Sequence, residues 1–212
     1  MIRFENVRIA RNHVHILQEV SFHIRSGEKI GFTGPSGSGK STLLLALLGV
    51  FPVSDGRILF NGKVVSPATI REVRRSIAYI AQEPVLGAET VRDAILLPFT
   101  FRSNRSQKPD NGHLENLLAK VRLTGDILDR RVTNVSGGEK QRIAVARALL
   151  LGKRVFLCDE ITSALDPESR DVVLDIFANP DFTMVSVSHD EKWLAACHRR
   201  LTVADGTVKE KG

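Results

Sequence analysis

One run of residues, Gly34-Pro35-Ser36-Gly37-Ser38-Gly39-Lys40-Ser41, carries the clearest chemistry in the sequence. It fits G-x-x-x-x-G-K-[ST], in which glycines let the backbone curl until successive N–H groups face one anion. A helix that begins beside such a loop adds the positive end of its dipole. In this pattern Lys40 reaches the β- and γ-phosphates of a nucleotide and Ser41 ligates Mg²⁺, with Thr42 behind them in the first helical turn. The bland alternative is a glycine-rich turn between a strand and a helix. With glycine near 7 % of residues, the four fixed positions coincide by accident in about one chain of this length in a hundred, which favours the phosphate site.

Two further strings point the same way. The apolar run 155–158 ends in Asp159-Glu160, and carboxylates at the C-terminal end of a parallel strand lie where open α/β sheets bind ligands. Asp159 is expected to hold Mg²⁺ through water, and Glu160 to act as general base on the attacking water. The string Val135-Ser136-Gly137-Gly138-Glu139 precedes a helical pattern. Ser136 and Glu139 form an S-x-x-E capping box, which explains them as a helix start. Two adjacent glycines, poor helix formers, make the same place a second phosphate-binding surface.

The elements that must position these groups are legible in outline. Residues 2–9 and 14–24 alternate apolar and polar side chains, as half-buried antiparallel strands do, and 57–60 run into Asn61-Gly62, a hairpin signal. A short apolar strand, 29–32, leads into the glycine loop, and a Leu-rich helix is expected over 41–50. The apolar runs 155–158 and 184–187 suit parallel strands buried on both faces. Helical periodicity holds over 140–150 and 170–177. Residues 88–135 differ: helix-like stretches at 90–97 and 113–121 flank a polar segment at 102–112.

Composition constrains the rest. The chain has 212 residues, 30 basic against 24 acidic, and a net charge of +6. That is one large domain, with charge compatible with nucleic acid, an anionic membrane face or a polyphosphate ligand. The basic residues are scattered without interleaved aromatics, so no direct nucleic-acid contact is expected. Cys158 and Cys197 cannot form a disulfide framework and read as free thiols in a reducing compartment. The longest near-apolar stretch, 43–53, is about half of the roughly 20 residues a spanning helix needs, and the N-terminus lacks a secretory signal, so a cytoplasmic location is expected.

Six strings in register resemble the ABC transporter ATPases: the loop at 34–41, Gln82 in Ile80-Ala81-Gln82-Glu83-Pro84, the signature at 135–139, the acidic strand end, Ser163-Ala164-Leu165-Asp166, and His189. The resemblance spans essentially the whole chain. It implies an α/β fold: a P-loop NTPase core of RecA type over 1–87 and 136–212, an N-terminal antiparallel β layer, and an inserted α-helical lobe over 88–135. It implies ATP and Mg²⁺ as ligands. Gln82 would ligate Mg²⁺ and sense the γ-phosphate, and His189 would hold the γ-phosphate, the water and Glu160. Ser136, Gly137, Gly138 and Glu139 would meet ATP bound to the opposite subunit of a homodimer or heterodimer. Asp166 would belong to a dimer-contact loop. The partner implied is an integral membrane permease docking near Pro84, Val85, Leu86 and Val91, with this subunit peripheral on the inner face of the membrane.

Two departures from the family pattern matter. Where an aromatic residue usually stacks on adenine, this chain has Arg11, Asn12, His13 and His15, so Arg11 or His13 is expected to contact the base. Val135 replaces the usual leucine. Strings at 90–99 and 160–166 are similar to those of small bacterial ATPases linked to iron export. A soluble ABC ATPase acting on nucleic acid or ribosomes is the alternative, although those carry two ATPase domains or a long coiled-coil insertion, absent here. A P-loop kinase or small GTPase lacks the signature string.

Overall fold

The computed structural model describes residues 1–12 and 14–210. In chain order the elements are β1 (Ile2–Arg11), β2 (Val14–Ile24), β3 (Lys29–Thr33), α1 (Lys40–Leu47), β4 (Asp55–Phe60), β5 (Lys63–Val64), α2 (Ile70–Ser76), β6 (Ile77–Ile80), α3 (Val91–Leu96), α4 (Asn111–Lys120), α5 (Gly137–Leu150), β7 (Val155–Asp159), α6 (Pro167–Phe177), β8 (Thr183–Val187), α7 (Glu191–Ala195), β9 (Arg199–Ala204) and β10 (Thr207–Glu210). They group into two compact units: Met1–Ile77 with Arg154–Glu160 and Pro180–Gly212, and Ala78–Lys153 with Ile161–Asn179.

In the first unit, the alternation read over the N-terminal residues forms an antiparallel sheet in the order β2-β1-β4-β5. A strict period of two would turn Val7 outward if Phe4 faces in. A register shift between them, with Asn6 in left-handed backbone at φ 50° and donating its N–H to Ser21 Oγ at 2.8 Å, brings both side chains into the core. The hairpin forms at Asn61-Gly62, both at positive φ, joining β4 to β5.

The second sheet of this unit runs β10-β9-β3-β8-β7. Strands β3, β7, β8 and β9 run parallel, while β10 returns antiparallel on β9. Every residue of β7 and β8 is buried, as expected of strands covered on both faces. Phe32 pairs with Val187, and Val187 with Asp159. That register levels the C-terminal ends of β3, β8 and β7, so the segments following them emerge at one edge. Helix α1 is shorter than the expected 41–50: it ends at Leu47, and Gly49 turns the chain at φ 65° beneath Ile70. A Cβ at Gly49 would lie 2.8 Å from Ile70 Cδ1, so the close approach of α2 ends the helix.

The second unit is mostly helical. Helix α5 packs against α3, α4 and α6, and buries Ile143, Val145 and Ala146. Its helices start on oxygen caps: Thr90 for α3, Asp110 for α4, Ser136 for α5 and Asp166 for α6, each accepting a backbone N–H of the first turn. Gly137 and Gly138 lie inside the first turn of α5, three residues earlier than the periodicity suggested, because the cap at Ser136 offsets their poor propensity. No helix among the described residues is long and apolar enough to cross a membrane.

Candidate functional site

The loop after β3 owes its shape to glycines that nothing else could replace. Gly34 sits at φ 137°, and a Cβ there would fall 2.0 Å from the carbonyl oxygen of Val203 on β9. Gly39 sits at φ 100°, with a would-be Cβ 2.9 Å from Leu17 Cδ2 and 3.3 Å from Ile16 Cγ2 on β2. The loop is therefore pinched between the two sheets of the first unit. Gly39 is also the N-cap of α1, and no side chain caps it. No acidic residue stands in that first turn to answer its N–H groups.

Lys40 is only 6 % exposed, an unusual state for a lysine without a carboxylate. Its Nζ donates to Gly34 O at 2.9 Å and Pro35 O at 2.7 Å. An ammonium has three donors, so one remains for a ligand. Ser38 Oγ, buried in the same loop, has no hydrogen-bond partner. A buried cation with a spare donor, an orphan hydroxyl and an uncapped helix start together form a cradle for an anion with several oxygens.

Across the level strand ends, Ser41 Oγ donates to Asp159 Oδ1 at 3.0 Å. A hydroxyl and a single carboxylate are hard oxygen donors, and no cluster of three or more His, Cys, Asp or Glu able to hold a metal occurs among the described residues. That donor set fits Mg²⁺, which takes few protein ligands and fills its shell with phosphate oxygens and water. Glu160 follows in left-handed backbone, φ 47°, its N–H held by Val187 O at 2.9 Å. For a non-glycine residue this conformation costs about 1 kcal/mol or more and turns the side chain away from the strand direction. Its Oε1 lies 3.6 Å from His189 Nε2, with the imidazole half-exposed. His189 is set by its neighbours: Ser188 N–H donates to Phe32 O, Asp190 N–H donates to Ser188 Oγ at 3.0 Å, and Asp190 caps α7.

The structure thus brings together Gly34 through Thr42, Asp159, Glu160 and His189. Gln82 and Ser136–Glu139 belong to the second unit, where Gln82 is exposed. Ser136 and Glu139 make the capping box read from the sequence: Glu139 N–H donates to Ser136 Oγ at 3.2 Å, and Ser136 N–H to Glu139 Oε2 at 2.7 Å. That backbone donor, above all, holds the Glu139 carboxyl below the usual carboxylate range, with Arg130 and Arg142 adding to it. Gly138 packs closely, since a Cβ there would stand 3.1 Å from Ala164 O. Asp166 caps α6, accepting from Ser169 N at 2.9 Å and Ser169 Oγ at 2.6 Å. Arg11 lies exposed at the end of β1, paired with Val14; His13 lies outside the described residues. Of the expected permease dock, Val85 is 83 % exposed, whereas Leu86 and Val91 are buried, so these two serve the core of the unit.

Sequence reasoning missed Ile16 and Leu17, which press on Gly39, and the orphan hydroxyl of Ser38. A period of two through Ile16, Val20, Phe22 and Ile24 turns Leu17 to the other face, yet Leu17 is buried.

The family model described as ABC transporter matches residues 17–163. The chain belongs to the ABC transporter family. Over 195 residues, 90 % of this chain and 85 % of the relative, it is 34 % identical to the probable iron export ATP-binding protein FetA of Escherichia coli (strain K12). It is equally identical over its whole length to the methionine import ATP-binding protein MetN 1 of Pseudomonas fluorescens (strain Pf0-1), of which it spans 67 %. Against the mitochondrial iron-sulfur clusters transporter ATM1 of Debaryomyces hansenii it is again 34 % identical but spans only 32 % of the longer protein. Among solved structures, a bacterial ABC transporter cassette described as dimeric superposes with a TM-score of 0.87 at 25 % identity, over 100 % of this chain and 98 % of that one. A bacterial Atm1-family ABC exporter with ATP bound gives 0.88 at 26 % identity, covering 38 % of that chain. This ABC ATPase therefore has the RecA-like P-loop NTPase core with an N-terminal β-sheet and an inserted α-helical lobe. It is an ATP-binding and ATP-hydrolysing enzyme.

Proposed function

We propose that this ABC ATPase works as one of a pair of cytoplasmic subunits on the inner face of a membrane, driving a separate permease. The observation that carries the reading is the P-loop cradle, in which buried Lys40 keeps one donor open beside an uncapped helix start, level with Glu160 and His189. In the proposed reaction the loop amides and Lys40 bind the triphosphate, and Lys40 stabilises charge on the β- and γ-phosphates. A water attacks the γ-phosphorus, Glu160 takes its proton, His189 keeps Glu160 and the water in line, and ADP leaves with the broken bond's electrons. Ser41 and Asp159 would hold Mg²⁺, with Gln82 as a further ligand; bound there, the ion neutralises charge on the phosphates.

In the proposed pair, Ser136, Gly137 and Gly138 of one subunit meet the γ-phosphate on the other, so that ATP joins the subunits and hydrolysis releases them. Arg11 or His13 contacts the base. Exposed Val85 belongs to the permease dock, and the inserted lobe over 88–135 is the part that moves it. The proposed cargo is iron, moved outward, on the strength of the likeness to FetA; metal loading of cells with and without the gene tests it against the methionine-import likeness. The central test is Glu160→Gln. ATP binding is expected to persist, turnover to fall about 10²-fold or more, and the protein to elute as an ATP-dependent dimer. Wild-type turnover in that variant removes Glu160 from the chemistry.

A further inference from the structure

The segment after α3 belongs to none of the chemistry above. Phe99 anchors it, buried, in the second unit, while Phe101, two residues on, is 60 % exposed. Three i→i+3 bonds fold the segment after Phe101: Asn104 N–H to Phe101 O at 3.0 Å, Gln107 N–H to Asn104 O at 2.9 Å and Lys108 N–H to Arg105 O at 3.4 Å. Asn104 Nδ2 ties the turn back to Pro98 O at 3.0 Å. Arg105–Gln107 form one short 3-10 turn, and Arg102, Arg105 and Lys108 are all exposed in the stretch that follows Phe101.

The charge of this segment is uncompensated. No acidic residue occurs between Asp93 and Asp110. Elsewhere in the same unit Arg92, Arg122, Arg130 and Arg131 each face a carboxylate, at 3.3, 2.8, 2.6 and 3.3 Å. Among the described residues Arg102, Arg105 and Lys108 have no such partner. Three exposed cations without a carboxylate partner thus follow exposed Phe101 along the chain.

We infer that this turn is a contact for an anionic lipid surface. The three cations lie against phosphate headgroups while Phe101 enters the interface below them. A nucleic-acid strand fits the turn less well, since it is tracked by a groove with successive aromatic platforms, and here a single exposed ring is present. The inference goes beyond the permease reading and does not require it, because lipid alone is the ligand.

The test is co-sedimentation of the full chain with vesicles of mixed phosphatidylglycerol and phosphatidylcholine, and with phosphatidylcholine alone. Binding to the anionic vesicles only is expected, weakening with salt. Each basic side chain near such a surface is worth about fivefold in partition, so Arg102→Gln/Arg105→Gln/Lys108→Gln should lose about a hundredfold. Phe101→Ala should lose severalfold, and Arg102→Lys/Arg105→Lys should retain binding. Arg71→Gln/Arg75→Gln, which removes exposed charge elsewhere, should retain most of it. ATPase activity, expected unchanged in all four variants, reports that they are folded. Equal binding to neutral vesicles, equal losses in the triple variant and the Arg71/Arg75 control, or a triple variant that loses affinity for a single-stranded RNA oligomer but not for vesicles would each overturn the assignment.

Discussion

The two glycine-rich helix starts of this chain look alike in sequence and differ in what they leave open. At α1 the N-cap is Gly39, no acidic residue stands in the first turn, and Lys40 holds a spare donor. At α5 the N-cap is Ser136, and its hydroxyl and the Glu139 carboxylate close the helix start reciprocally. The first presents open donors, as the proposed phosphate site requires. The second is satisfied within its own unit, so recruiting it to a phosphate requires the cap hydroxyl to exchange or share its partner. That asymmetry suits a pair in which each P-loop binds ATP independently and each signature joins later.

The comparison is broken most severely at Lys40. Lys40→Ala should lower ATP turnover about 10³-fold in a steady-state phosphate-release assay, with the fold retained. Turnover within a few-fold of wild type would mean that the spare donor is not used. Gly34→Ala tests the loop's shape: a methyl 2.0 Å from Val203 O at φ 137° should destabilise the protein by about 3 kcal/mol in denaturant unfolding and abolish ATP binding. The signature helix should be far more forgiving. Ser136→Ala removes one cap bond and should cost about 1 kcal/mol of stability, while leaving ATP binding to the isolated subunit intact and weakening ATP-dependent dimerisation.

Glu139→Gln is the finest of these tests. Glutamine still serves a capping box, so stability at neutral pH should change by a few tenths of a kcal/mol at most. Its signature lies in pH. The Glu139 carboxyl is depressed in the folded state, chiefly by the Ser136 N–H, so its contribution is present above the unfolded-state value and is lost as pH falls through the lower folded value. Thermal unfolding of the wild type should therefore weaken more steeply under acid than that of Glu139→Gln. Parallel acid profiles would show that the charge adds nothing to the cap.

The P-loop, the acid strand end and the Asn61-Gly62 hairpin were legible because each is a local device, complete within a few residues. The cap at Ser136 was legible for the same reason. By contrast β5, β6, α2, α7, β9 and β10 went unread; β5, β6, α7 and β10 are too short for their periodicity to rise above neighbouring turns. The α1 end was misjudged because apolar residues continue to Val53, and only the approach of Ile70 to Gly49 marks the stop. The buried places of Leu86 and Val91 were equally hidden, since apolar side chains suit a dock and a core alike.

The linear order of residues is enough to say which groups can hold phosphate, metal and water, because those capacities belong to side-chain types and to backbone curled by local glycines. Their convergence is another matter. It rests on Phe32, Val187 and Asp159 standing level across three parallel strands, on Glu160 held in left-handed backbone by Val187, and on Ile16 and Leu17 pressing the loop from another sheet. These contacts join segments separated by up to roughly 150 positions along the chain. Strand order and register decide them, and both emerge only when the apolar faces of distant segments are buried together.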